Sequence, residues 1–242
     1  MDRLIYLSMA GAKATMQRQE VLAHNLANAS TNGFRAEMAS FRAVPVQGDG
    51  ASTRVYALET TTGHDATPGV VQSTGRPLDV AMRGQAWLSV QGLDGTEGYT
   101  RAGALATSAE GLLVTGSGLT VLGDGGPITI PPNASVSIAP DGSVSAAIGN
   151  AAPQTVGRLK LVTPDAGLER SADGLFRAAD GELPSDPTAR LEPGALEGSN
   201  VSAVETMVGM ITAARQFEHQ MKMLQGAEQR DQVAAKLLGH LP

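Results

Sequence analysis

Both ends of this chain are long segments of helical periodicity, and the stretch between them is broken into short apolar runs by acid–glycine pairs. That order limits the possible folds more than any single residue does. Near the N-terminus Ile5, Met9, Ala12, Met16, Gln19, Ala23 and Leu26 recur at alternating spacings of four and three, with Leu22 beside them. This spacing sets a narrow, mostly apolar stripe along one helix face. Lys13, Gln17, Arg18, Glu20 and His24 flank the stripe, so it is closer to a coiled-coil seam than to a broad core face. The C-terminal segment repeats the theme with Val204, Met207, Ile211, Ala214, Phe217, Met221 and Leu224, Val208 lying alongside. Ser202 and Glu205 have capping-box spacing and set the start of this helix. Gly209 and Gly226 each cost ~1 kcal/mol inside a helix, which predicts that close packing, not intrinsic propensity, holds this helix. Periodicity alone also allows both helices to fold back onto one globular core.

The middle reads as β-structure. Asp94-Gly95, Glu110-Gly111, Asp141-Gly142, Asp173-Gly174 and Asp180-Gly181 suit turns that need positive φ. Between them, residues 78–82, 86–90, 112–114, 120–122, 128–130, 136–138 and 159–162 are predicted strands, and the Pro-, Gly- and Ser-rich stretches 47–53 and 184–198 are predicted links. The expected fold is α+β, with terminal helices pairing as a coiled-coil-like helical domain and an all-β domain inserted between them. The expected divisions are 1–45 for the N-terminal helix and its turn, 46–195 for the β-rich domain and 196–242 for the C-terminal helix.

Several function classes are disfavoured. The formal net charge is -6 and the lysines Lys13, Lys160, Lys222 and Lys236 are scattered, so no basic patch is offered to a nucleic acid. The absence of cysteine removes disulfides, thiolate metal sites and a Cys nucleophile. The histidines His24, His64, His219 and His240 have no metal-ligand spacing, and no nucleophile elbow, phosphate loop or dinucleotide fingerprint is present. Neither an enzyme, a cofactor nor a metal is therefore expected. No apolar run reaches membrane-spanning length, so no membrane insertion is expected. A cleaved signal is also not expected, because Asp2 offsets Arg3 and the periodic pattern runs through any cleavage point.

The most specific local feature is Ala27-Asn28-Ala29-Ser30-Thr31-Asn32-Gly33-Phe34-Arg35. Its Asn, Ser and Thr side chains compete for backbone groups and Asn32-Gly33 suits a left-handed turn, so the first helix should stop here. As a pattern, Asn25-Leu26-Ala27-Asn28-Ala29 followed by Thr31-Asn32-Gly33-Phe34 resembles the bacterial flagellar rod and hook family. Thr74-Gly75-Arg76-Pro77-Leu78-Asp79-Val80-Ala81, Tyr99-Thr100-Arg101-Ala102-Gly103, Gly111-Leu112-Leu113-Val114-Thr115 and Glu197-Gly198-Ser199-Asn200-Val201 fit it in the same order. One departure is Gln85-Ala86-Trp87-Leu88, where relatives usually have a glycine and two phenylalanines.

The resemblance implies a structural subunit of the proximal rod that polymerises helically into the drive shaft and transmits torque across the periplasm. It also implies export by the flagellar type III apparatus without a cleaved signal, and partners that are other proximal- and distal-rod proteins and further copies of this chain. The interface would be Ile5, Met9, Ala12, Met16, Leu22 and Leu26 of the first helix with Val204, Met207, Val208, Ile211, Ala214, Phe217, Met221 and Leu224 of the second. The family turn would be Asn25, Asn28, Thr31, Asn32, Gly33 and Phe34. Two other readings stay open: a distal-rod subunit, and a secreted β domain that binds or hydrolyses peptidoglycan. The last would need pocketed carboxylates with raised pKa. Glu97, Glu110, Asp141, Glu169 and Asp173 are the acids to inspect, and each is expected in a turn beside glycine.

Overall fold

The computed structural model describes residues 2–45, 55–179 and 181–238. The expected link 47–53 and Asp180 lie outside the described residues. The fold is α+β, with a helix near each end and a β-rich middle. The chain divides into two compact units, one of residues 1–29, 37–64 and 201–242, the other of residues 30–36 and 65–200.

In the first unit, helix α1 runs over Asp2–Ala27 and helix α2 over Ala203–Leu238. The Ser202 hydroxyl accepts the Glu205 N–H at 3.4 Å, the N-cap that the sequence predicts. Gly11 lies against Gln220 and Gly209 against Leu22, so the two helices pack antiparallel. Close packing thus explains Gly209, but the position of Gly226 is open. A hairpin of β1 (Glu37–Pro45) and β2 (Val55–His64) joins the helices in this unit. The Asn25 side chain ties α1 to it in both directions, donating to the Glu37 carbonyl at 2.9 Å and accepting the Glu37 N–H at 2.8 Å.

The second unit holds the β-structure. Its main sheet runs in the order Glu169–Arg170, Phe176–Arg177, Glu97–Thr100, Trp87–Gln91, Thr120–Gly123, Leu113–Thr115, Leu105–Thr107. A second sheet joins Ala134–Ile138, Ser143–Ile148 and Gln154–Arg158. Val80, Leu88, Val90, Leu105, Leu113, Val121, Val144, Leu161 and Leu191 form a fully desolvated aliphatic core. This suits a chain with few aromatics. Trp87, Tyr99, Val162, Leu168 and Phe176 form a smaller cluster, in which the Trp87 and Phe176 rings stand 4.7 Å apart. Trp87-Leu88 therefore fills the departure from the family pattern with two buried side chains.

The structure departs from the sequence reading at four places. Residues 37–45 and 55–64 form a long hairpin grouped with the helices. Residues 184–198 are not a link: Leu191–Pro193 pairs with Val80–Met82 and Ala195–Glu197 pairs with Val71–Ser73, both inside the β unit. Segments 30–36 and 196–200 belong to that unit as well, so the divisions fall elsewhere than 45/46 and 195/196. At residues 128–130 Ile128 and Ile130 are buried but only Thr129 makes a bridge, to Leu112. Pro127 and Pro131 bracket the segment and supply no N–H to a ladder.

Candidate assembly interface

The two helices withdraw from solvent a different stripe from the one that the sequence emphasises. On α1 Ser8, Ala12 and Thr15 are buried and Ile5, Gln19, Leu22 and Leu26 half-buried. On α2 Thr206, Ala213 and Ala227 are buried, with Met210, Phe217, Gln220 and Leu224 half-buried between them. Both sets alternate in steps of three and four, so each is one helix face. Small and polar residues make up much of each set. The two buried threonines bond to backbone one turn earlier, Thr15 donating to the Gly11 carbonyl and Thr206 to the Ser202 carbonyl, both at 2.8 Å.

The larger apolar side chains face outward. Met9 is 59% exposed, Met16 54% and Ile211 56%, and Val204, Met207, Val208 and Met221 are exposed with them. Of the interface residues expected from sequence, Ala12 is buried, and Ile5, Leu22, Leu26, Ala214, Phe217 and Leu224 are half-buried. The remaining seven residues stand on open helix surface. Apolar side chains exposed together in this way are the kind of surface that interaction sites use.

The turn motif divides between the units. Asn25 caps the hairpin as described, and the Asn28 side chain donates to the His24 carbonyl at 2.9 Å, closing the end of α1. Thr31 and Asn32 are exposed, whereas Gly33 and Phe34 are buried in the β unit. Gly33 has φ 70°, and a Cβ there would stand 2.2 Å from the Arg101 carbonyl carbon. The position therefore excludes a side chain on two counts, backbone conformation and space. The Phe34 ring lies under the Arg170 guanidinium at 4.6 Å.

Beside Gly33 is a charged cluster that sequence reasoning missed. The carboxylate of Glu197, 1% exposed, accepts from Arg35 at 2.8 Å, Arg101 at 2.6 Å and the Gly69 N–H at 2.9 Å. Burial pulls the Arg35 guanidinium down from its ordinary value, with Glu197 opposing and Arg101 reinforcing that shift. Arg101 and Glu197 stand inside motifs that are visible in the sequence. Nothing in the pattern marks their charges as buried.

The candidate acids are engaged elsewhere. Glu97 is not in a turn: it opens the strand Glu97–Thr100, nearly buried, and accepts from Lys160 at 2.7 Å. The Ser108 hydroxyl holds the Glu110 carboxyl below its usual value, and the Ser143 N–H and hydroxyl do the same for Asp141. Asp173 accepts the Leu175 N–H at 3.0 Å and pairs with Arg177 at 2.8 Å. Glu169 is an exposed residue of the short strand Glu169–Arg170. Among the described residues no His, Cys, Asp and Glu cluster is arranged to hold a metal ion.

Three family models match successive parts of the chain: flagella basal body rod protein over residues 5–35, flagellar hook protein FlgE/F/G D1 domain over 81–146, and flagellar basal body rod FlgEFG protein C-terminal over 192–237. Over 249 residues the chain is 47% identical to the flagellar basal-body rod protein FlgF of Salmonella typhimurium, covering 98% of this chain and 99% of the relative. The chain belongs to the flagellar basal-body rod family. The rod protein FlgF of Escherichia coli is 45% identical over the same coverage, and the rod protein FlgG of Agrobacterium fabrum is 32% identical over 98% of this chain and 99% of the relative. The matches to the rod family enclose the structural features above. Arg35 ends the first, Arg101 lies in the second and Glu197 lies in the third. Both helices carrying the outward apolar side chains also fall largely inside the terminal matches.

Proposed function

We propose that this chain is a structural subunit of the flagellar basal-body proximal rod, in which its helices pair in coiled-coil fashion and further subunits cover the outward helix face. The chain adds to the rod by helical polymerisation and forms part of the shaft that transmits torque across the periplasm. Its partners are copies of itself and the other proximal- and distal-rod proteins. Export through the flagellar type III apparatus, without a cleaved signal, belongs to the same reading. One observation carries it: Met9, Met16, Val204, Met207, Val208 and Ile211 are presented to the outside while Ser8, Thr15, Thr206 and Gln220 are spent on the contact within the chain. Subunits related by a screw operation make heterologous contacts that need not close, and a filament results.

FlgF relatives at 47% and 45% identity favour the proximal over the distal rod, since the FlgG relative of Agrobacterium fabrum is 32% identical. The peptidoglycan reading loses ground because the shifts at Glu110 and Asp141 run downward, opposite to those of a catalytic acid. Electron microscopy of basal bodies from a strain lacking this chain tests the proposal. A rod that stops below its distal segment supports it, and a complete rod overturns it.

A further inference from the structure

We propose that Glu197 is the latch of a strap formed by residues 33–36, which docks on the β unit only after the strand Ala195–Glu197 has been laid down. Residues 65 and 67 hold part of the strap, Arg35 donating to the Thr67 carbonyl, and the remaining bonds come from the far end of the β unit's sequence. Gly33 donates its N–H to the Glu197 carbonyl at 2.8 Å, Ala36 donates to the Asn200 side chain at 2.7 Å, and Asn200 returns its N–H to the Phe34 carbonyl at 3.3 Å. The Asn200 amide also donates to the Asp65 and Thr67 carbonyls, and Asp65 donates its N–H to Ala36 at 2.8 Å. The Asp65 bond continues the hairpin register of Glu37 with His64, but residues 36 and 200 are 164 positions apart, so the bonds to Glu197 and Asn200 do not form as local structure.

The three charges have an order imposed by their partners. Arg101 is seated by carbonyls near it in the chain, those of Met82, Gly84 and Ala86, at 2.6 to 2.9 Å. Its site is complete but for one counter-charge. Glu197 supplies that charge when its strand pairs with Val71–Ser73 and, through its second oxygen, creates the seat for Arg35. Arg35 is 2% exposed; the Thr67 carbonyl and the Asp65 charge meet it from one side, but burying its guanidinium beside Arg101 before Glu197 is in place would leave both cations without the carboxylate that bridges them. The sequence of events is therefore Arg101, Glu197, Arg35 with the strap. The segment after α1 becomes fixed only when the segment before α2 has arrived. Its use as a completeness check on a subunit joining the rod rests on the function proposed above; the latch itself does not.

Hydrogen exchange on the full-length chain tests the latch. In Glu197→Gln the amides of Gly33 and Ala36 should exchange at least tenfold faster, while those of the central strand Trp87–Gln91 keep wild-type protection. In Arg35→Met combined with Glu197→Gln the cation that forbids docking is gone, and protection at Gly33 and Ala36 should return. Unchanged strap protection in Glu197→Gln overturns the proposal, as does a double variant whose strap stays open. If both variants lose protection throughout the central strand, the cluster is an ordinary part of the core and the latch is also overturned. Retained motility in the face of an open strap would sink only the use of the latch in rod growth.

Discussion

Gln220 of α2 lies over Gly11 of α1, and a Cβ at residue 11 would stand 3.0 Å from the Gln220 side-chain amide. About three turns of α2 away from that point towards its start, Gly209 meets Leu22 at 3.3 Å, so each helix uses a glycine to admit a long side chain of the other. A large polar residue placed over a glycine gives close approach with little apolar gain. The pair therefore holds its register without consuming the outward apolar face.

The glycines of α2 should respond differently to alanine. Gly226 has nothing within 4 Å of its would-be Cβ, so Gly226→Ala should gain the full propensity difference, about 1 kcal/mol of helix stability. Gly209→Ala gains the same propensity but presses on Leu22, and its net effect should be near zero. Thermal melts of the helical circular-dichroism signal check the difference; equal stabilisation by the two would mean that the Leu22 contact does not constrain the pair.

Charge placed on the two faces of α2 should separate folding from assembly. Ile211 is on the open face, so Ile211→Asp puts its carboxylate in water in the isolated chain and should leave the melt within about 0.5 kcal/mol of wild type. In the rod the same carboxylate would be desolvated without a partner, at a cost of several kcal/mol, and incorporation should fail. Ala213 is 1% exposed, and Ala213→Asp should part the helices in the monomer itself. Fractionation of basal bodies with circular dichroism of the soluble chains reads both effects. Normal rod incorporation of Ile211→Asp would remove this face from the interface.

Much of this arrangement was legible because periodicity and turn chemistry are local. The end of α1 at Ala27, the Ser202 cap and the positive φ of Gly95, Gly111, Gly142 and Gly174 follow from residues a few positions apart. Which stripe of α1 turns inward was not, because Met9 and Ser8 are one residue apart and the choice depends on what α2 brings opposite. Periodicity assigns apolar residues to the covered side, and in a single chain the structure leaves Met9, Met16 and Ile211 uncovered. The hairpin Glu37–Pro45 with Val55–His64 had a signal in the β-branched run Thr60-Thr61-Thr62 and in Val55-Tyr56, but no acid–glycine turn announced it. The burial of Arg35, Arg101 and Glu197 had no local signal, since only the pairing of distant segments creates the site.

Acid should weaken the β unit through its turn aspartates. Asp186 accepts from the Thr188 hydroxyl at 2.6 Å, the Thr188 N–H at 2.8 Å and the Thr163 hydroxyl at 2.7 Å, and these bonds, the Thr188 hydroxyl foremost, lower its pKa from 3.8 to about 2. A carboxyl whose folded pKa lies below its unfolded value stabilises the fold above the unfolded pKa and loses that contribution as pH falls through the folded one. The window is thus from 3.8 down to about 2. The urea midpoint of wild type should fall across it, and that of Asp186→Asn should fall less. Parallel profiles for the two proteins would show that Asp186 is not a source of the acid sensitivity.

Gly33 gives the sharpest separation between a turn requirement and a packing requirement. A turn alone would ask only for left-handed backbone, and a substitution would then act on the path of the chain while sparing the β unit. The structure places Gly33 inside that unit, with the Arg101 backbone where a Cβ would be and its own N–H bonded to the Glu197 carbonyl at 2.8 Å. Gly33→Val therefore combines a strained φ of 70° with direct overlap on backbone atoms that cannot rotate away, and should destabilise the β unit by about 3 kcal/mol or more. Asn32→Ala, one residue earlier on an exposed side chain, should cost less than about 1 kcal/mol. Urea unfolding followed by Trp87 fluorescence reads the β unit alone, because Trp87 is the single tryptophan and is buried there. A Gly33→Val chain with the wild-type midpoint would show that residues 30–36 are not held against Arg101, and the strap would have to be abandoned with it.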